Sequence, residues 1–219
     1  MSKSTGLVLD LQRYVSPDIT PAPPAATWAD TSRYKNHGTI NGATWTRLPS
    51  GLWVMALNPV IDTSDNVSLP NVPSLRFPTA VTMMAWGYQT VLATYPRFFI
   101  QRIGTADFLL AKDAARFQFG IVRADATISA SGTVVATTLN VWYHVCGTFD
   151  GTNIKIYTNG ALDGTTNSPG VLDTGVNIIV IGQSPRWRGY QALHKIWNYA
   201  LTPGQISTIF ESERRWFGV

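Results

Sequence analysis

The stretch Val141–Asp163, VWYHVCGTFDGTNIKIYTNGALD, constrains the fold more than any other part of the chain. Two apolar runs, Val141–Phe149 and Asn153–Tyr157, flank Asp150-Gly151-Thr152, and a short segment, Ala161–Asp163, follows Asn159-Gly160. Asp-Gly and Asn-Gly accept the positive φ angles that tight primed turns require, so each marks a hairpin. The spacing predicts a three-stranded antiparallel meander.

Short strand patterns recur on both sides of it. The candidates are Gly6–Leu11, His37–Ile40, Leu52–Leu57, Asn66–Leu69, Val81–Gln89, Arg97–Gln101, Phe108–Lys112, Arg116–Arg123, Thr127–Ala130, Asn177–Ile181 and Gly189–Trp197. Gly, Pro and Asn turns separate them, and Pro17–Ala26 reads as a proline-rich, extended excursion between strands. One segment, Pro203–Ser212, has helical spacing, with Thr202 as N-cap, Pro203 at the first helical position and Ile206, Ile209 and Phe210 on one face. The tail Arg214-Arg215-Trp216-Phe217 either packs back or reaches a neighbouring subunit. This pattern predicts an all-β fold over residues 1–219, a two-sheet antiparallel sandwich in one domain with one short C-terminal helix.

Composition narrows the function. Charged residues are 14%, so the surface leans on neutral polar side chains. The net charge of +4 is scattered, with no basic arm of the kind that binds nucleic acid. The lone Cys146 lies in an apolar strand and reads as a core filler. MSKSTGLVLDLQ has too short an apolar run for a signal peptide, and no stretch reaches membrane-spanning length. The expectation is a chain made in the cytoplasm, without membrane insertion, that leaves by a route such as lysis.

Four segments in order resemble the LamG-like jelly-roll family of the concanavalin A-like lectin/glucanase superfamily. Asp30–Gly42 is similar to "DxSGNxNHGTxNGA", with Asp30, Ser32, Asn36, His37, Gly38, Thr39, Asn41, Gly42 and Ala43 in place. Val81–Trp86 resembles "FTISAWV", and Trp142–Gly160 resembles "WHHVAxTFDGxxxKLYVNG". Gly182 and Gly189–Leu201 resemble the closing "IGxxxxxxxxFxGxIDEVRIYNRALS", before a helix like "PEEIQALY". The resemblance spans Gly6 to Phe210 and implies a jelly-roll sandwich. Two departures stand out. The acidic pair of "IDEVRIY" is here Ala192 and Leu193, and "FDGxDDYVxIP" becomes NPVIDTSDNVSLP.

Family members often bind glycans or proteins, frequently with calcium near the loops. The resemblance therefore implies a candidate calcium site at Asp30, Asn36, Asp62 and Asp65, beside Asn66. The alternative is that these are turn residues, since Asp and Asn bond their own backbone in turns and no EF-hand spacing is present. Related folds include glucanases, whose paired carboxylates follow an E-x-D-x-x-E alternation absent here; the only glutamates are Glu211 and Glu213. His144 reads as a strand residue packing on a sheet face, and neither His37 nor His194 lies in a catalytic spacing. The expectation is a protein that is not an enzyme.

Arg186, Trp187, Arg188 and Tyr190 form the candidate glycan or protein contact, since a sugar's apolar face stacks on an exposed ring and arginine bonds its hydroxyls. The alternative places Trp187 in the core. The functional expectation is a non-catalytic virion-surface subunit, of the bacteriophage decoration or fibre type, that forms homo-oligomers and binds virion proteins or cell-surface glycans. The alternatives are a soluble lectin of cellular origin and, further off, a glycoside hydrolase.

Overall fold

A computed structural model describes residues 6–11, 13–15, 22–57, 65–92, 95–103, 105–113, 115–123, 126–172, 178–182 and 187–219. The described residues form sixteen strands in two antiparallel sheets. The first sheet runs β14 (Ala161–Asn167), β13 (Asn153–Thr158), β12 (Trp142–Phe149), β7 (Val81–Gln89), β16 (Gly189–Trp197), β5 (Trp53–Leu57) and β4 (Thr44–Arg47), with β1 (Leu7–Asp10) also paired to β16. The second runs β11 (Ala126–Val135), β10 (Arg116–Arg123), β9 (Thr105–Asp113), β8 (Arg97–Ile103), β15 (Ile179–Ile181), β6 (Asn66–Ser68), β3 (Gly38–Asn41) and β2 (Thr27–Trp28). One α-helix, α1 (Pro203–Glu213), follows, and the described residues form the two-sheet sandwich that the residue pattern predicts, consistent with the jelly roll that the family resemblance implies. No helix among the described residues is long and apolar enough to cross a membrane.

The meander forms as its turn residues dictate. Thr158 pairs with Ala161 across a two-residue turn, where Asn159 and Gly160 take φ of 49° and 78°. Both central residues of a type I′ turn need positive φ, which Asn-Gly supplies. A Cβ on Gly160 would also lie 2.9 Å from the Phe210 ring. At the other hairpin Asp150 Oδ1 accepts from the backbone N–H of Thr152 (2.9 Å) and Asn153 (2.6 Å). β14 runs four residues past the expected Asp163, because its ladder to β13 continues to the pair Asn153 and Asn167. Two strands lack a sequence counterpart, β2 and β4, of two and four residues; runs that short carry too little periodicity to read.

The core lies between the sheets and draws on both, with Met83, Ala85, Val145 and Ile196 from one and Phe99, Phe117, Phe119 and Ile121 from the other. Cys146 is buried on the opposite face, beside Met84 and Tyr157, and burial pushes its thiol up, as suits a filler. That opposite face of the first sheet is apolar too, and α1 covers it. Thr202 and Gln205 close a capping box at the start of α1. Ile206 and Phe210 are buried, as their spacing predicts. Phe217 stacks on Trp86 at 4.1 Å between ring centroids, so the tail packs back. Glu213 fixes the arrangement: it pairs with Lys195, and its Oε2 accepts from Trp86 Nε1 at 2.8 Å.

Asp163 joins the two sheets at their edge. Its Oδ1 accepts from Thr133 N (2.6 Å), Val134 N (2.9 Å) and Thr133 Oγ1 (2.9 Å), and its Oδ2 from Thr158 Oγ1 (2.7 Å). Nearby, Thr166 Oγ1 donates to the Ser129 carbonyl at 2.9 Å. Burial alone would raise the Asp163 pKa, but the bonds from Thr158, Val134 and Thr133 outweigh it and hold the carboxyl below its ordinary 3.8. The group therefore stabilises the fold fully above pH 3.8, and the contribution is lost as pH falls through the lower folded value. Asp163→Ala leaves these donors without their acceptor, and urea unfolding is expected to show a loss of about 1–3 kcal/mol at neutral pH.

Candidate ligand-binding face

The expected contact cluster does not assemble as a unit. Arg186 lies outside the described residues. Trp187 is 1% exposed and belongs to the inter-sheet core, with its ring 4.4 Å from that of Phe98. A ring enclosed in this way has no free face for a sugar, so Trp187 is corrected from ligand contact to core residue. Its indole Nε1 donates to the carbonyls of Tyr88 and Tyr190, both at 3.2 Å. Arg188 is half-buried, and its carbonyl accepts from Thr90 N at 3.0 Å. Tyr190 lies on the outer face of the first sheet, half-buried beside the Trp86 and Trp142 cluster.

There the strand register builds a row that the sequence conceals. Trp142 of β12 pairs with Tyr88 of β7, and Tyr88 pairs with Tyr190 of β16. The ring centroids are 5.3 Å apart for Trp142 and Tyr88 and 5.6 Å apart for Tyr88 and Tyr190, close to the spacing of neighbouring strands. The parallel row two residues away is His144, Trp86 and Ala192. Phe210 and Phe217 cover that second row, and Phe217 also reaches Trp142 at 4.6 Å. Helix and tail thus close one row, while Tyr88 and Tyr190 in the next stay half-exposed. The readable signal was alternation: Trp86 and Tyr88 share a face of β7, as Trp142 and His144 share one of β12. Ala192 and Leu193, which replace the family's acidic pair, are buried in the same apolar cluster.

A bulge in β16 changes which side chains face the core. The register to β7 shifts between Ala192 and Lys195, and Leu193 takes a φ of 52°. Past the bulge His194 lies against Trp28 and Phe99, with Nε2 2.8 Å from Gln191 Oε1. Gln191 Nε2 in turn donates to the Arg97 carbonyl at 2.9 Å. His144, on the outer face, is packed against Trp86 and Phe210, and neither ring nitrogen has a hydrogen-bond partner. Burial lowers the pKa of both histidines, His144 to about 4 and His194 to about 3. His144 is thus the packed strand residue its pattern suggests. His37 holds a turn, with Nδ1 accepting from Asp30 N at 2.9 Å.

The candidate calcium ligands are committed to the protein. Asp30 is 1% exposed, and its Oδ1 accepts from Asp10 N (2.9 Å) and Ser32 N (2.8 Å). Its Oδ2 accepts from Ser32 Oγ and Asn36 N, both at 2.7 Å. Asn36 gives Nδ2 to the Val8 carbonyl, and its Oδ1 accepts from Ser74 Oγ. A carboxylate with four donors on it has little left for a cation, so Asp30 and Asn36 do not fit a calcium ion and act as turn residues. Asp65 lies over the Gly42 turn, and Asp62 is outside the described residues. Among the described residues no group of three His, Cys, Asp or Glu could hold a metal ion.

Toxin binding domains are among the solved structures with this fold. The binding domain of Paraclostridial Mosquitocidal Protein 1 superposes with a TM-score of 0.72 at 13% identity, over 94% of this chain and 52% of that one. The binding domain of botulinum neurotoxin DC superposes in complex with rat synaptotagmin II (TM-score 0.71, 15% identity, 96% and 52% coverage). The same domain in complex with SialylT gives a TM-score of 0.68 at 14% identity, over 96% and 52%. The chain spans about half the length of those structures, and at such identities the likeness is one of fold. No curated protein sequence matches the chain significantly. The Laminin_G_3 pattern matches residues 62–207, more than half of the chain, which therefore belongs to the concanavalin A-like lectin/glucanases superfamily.

Proposed function

We propose that the chain is a non-catalytic, lectin-like binding module that holds a carbohydrate or protein partner on the outer face of its first sheet. The observation that carries this reading is the pair Tyr88 and Tyr190, half-exposed at the open end of the row that begins with buried Trp142. Neighbouring tyrosine rings, here tilted by 54° to one another, offer apolar surface for a sugar's C–H side or a partner's side chains, with polar hydroxyls. Glycosidic hydrolysis needs two carboxylates flanking the bond. Glu213, which lies against this face, is taken up by Lys195 and Trp86. In two of the structures that share the fold, the bound partners are SialylT and a synaptotagmin.

The test is Tyr190→Ala and Tyr88→Ala on a glycan array and in pulldown from the source. Each is expected to weaken capture on the order of 10-fold, the loss of about 1.4 kcal/mol that a hot-spot ring carries, with little change in melting temperature. Unchanged capture by both variants would sink the reading. Our finer proposal places the module on a virion surface, as a homo-oligomeric subunit that attaches to virion proteins or host glycans. A low-charge sandwich held rigid by two aromatic cores suits that role. Antibody labelling of intact particles tests it; labelling confined to free protein favours a cellular lectin.

A further inference from the structure

At the other end of the same sheet face, beyond α1, lies a groove of about 530 Å³, lined by Trp197, Tyr199, Leu201, Gln205, Thr208 and Ile209, with Thr202 and Gly204 at its helix end. That volume is typical of a small-ligand site. We propose that this groove is a second binding site, for a neutral sugar unit. The choice of sugar rests on the lectin-like reading above; the site itself rests on its own geometry.

Three observations point this way. First, among the described residues no charged side chain lines the groove, in a chain of net charge +4, so these residues provide no counter-charge for an ionic ligand. Second, the capping box orients its amide. Gln205 Oε1 accepts from Thr202 N (2.8 Å) and Thr202 Oγ1 (3.1 Å), so the Nε2 amide is the end left to meet a ligand, as a donor. Thr208 Oγ1 spends its proton on the Gly204 carbonyl (2.8 Å) and retains lone pairs as an acceptor. Oriented donor, acceptor and the half-exposed Tyr199 ring, set on a floor of buried Trp197 and Leu201, are what a pyranose needs: hydroxyls that both give and receive, and an apolar ring face. Third, the wall is fixed before any ligand arrives. Thr82 Oγ1 donates to the Tyr199 carbonyl (2.7 Å) and accepts from Leu201 N (2.9 Å).

The geometry provides variants that separate ligand binding from folding. Gln205→Glu keeps an acceptor for the capping box and suits the positive end of the helix, but removes the amide donor. Gly204→Leu adds bulk where a Cβ meets nothing within 4 Å. The probes are maltose, cellobiose and lactose at millimolar concentration, followed by saturation-transfer NMR. At least one sugar is expected to receive saturation from the native chain, Gln205→Glu is expected to abolish the signal, and Gly204→Leu to weaken it several-fold. Both variants should melt no lower than the native chain. Tyr190→Ala is expected to leave this signal unchanged. No transfer to any of the three sugars overturns the proposal, as does transfer that survives both groove variants. A signal lost in Tyr190→Ala but retained in Gln205→Glu overturns the groove and upholds the tyrosine face. The opposite pattern upholds the groove and removes the face for these sugars.

Discussion

Between pH 6.5 and pH 4 the protein is expected to lose on the order of 6 kcal/mol of folding stability, because His144 and His194 are buried in their neutral form. In the unfolded chain each imidazole takes a proton near its ordinary 6.5, whereas in the fold burial lowers that value to about 4 for His144 and about 3 for His194. The unfolded state therefore binds more protons throughout this window, and stability falls as pH falls. The contribution is whole above pH 6.5 and stops declining only below the folded values. Each histidine accounts for roughly 3 kcal/mol by pH 4, and the sum rivals the total stability of an ordinary domain. Urea unfolding followed from pH 7 to pH 4 checks this, and His144→Phe should remove about half of the slope. A stability that stays level across the window would show that the rings are not held neutral. The carboxylates Asp150 and Asp163, whose pKa values are lowered, act mainly below this window, whereas Asp10, whose pKa burial raises, works in the opposite direction at its acid end and offsets part of the fall.

Trp187→Ala is expected to cost about 3–5 kcal/mol, the range for deleting a large buried ring. The ring is 1% exposed against Phe98, and its N–H holds two carbonyls on adjacent strands. Thermal melting is the primary readout: the midpoint should fall by far more than any change in ligand affinity of the remaining folded protein. Trp187→Phe, which keeps an aromatic ring but loses the N–H, should fall between the native chain and Trp187→Ala. A ring serving as a contact platform would give the reverse order, with affinity lost and melting spared.

These two cases mark what could be read in advance. The meander, the N-cap at Thr202 and the burial of Ile206 and Phe210 depend on residues a few positions apart, and all were legible. The Trp142, Tyr88 and Tyr190 row was not, since its members come from three strands that only the tertiary register aligns. Trp187 misled for a related reason. Its flanking arginines suggest solvent, yet the ring is 1% exposed and packs on Phe98 between the sheets. The Leu193 bulge adds a phase shift in β16 that no alternation count would anticipate. Asp30 and Asn36 were the right residues for a calcium loop by type, but their oxygens are filled by donors from Asp10, Ser32 and Ser74, two of them distant in sequence.

The carboxylate that joins the sheet edges bears also on how the protein behaves when crowded. β11 is the last strand of its sheet, where an exposed ladder invites strands from other molecules. Asp163 occupies the N–H groups of Thr133 and Val134, and Thr166 occupies the Ser129 carbonyl, so much of that template is already filled from within. Val134 and Val135 are exposed at the same end of the strand, 41% and 57%, and would supply the adhesive side chains if the ladder opened. A single aspartate therefore leaves fewer groups of this edge strand open to a strand from another molecule.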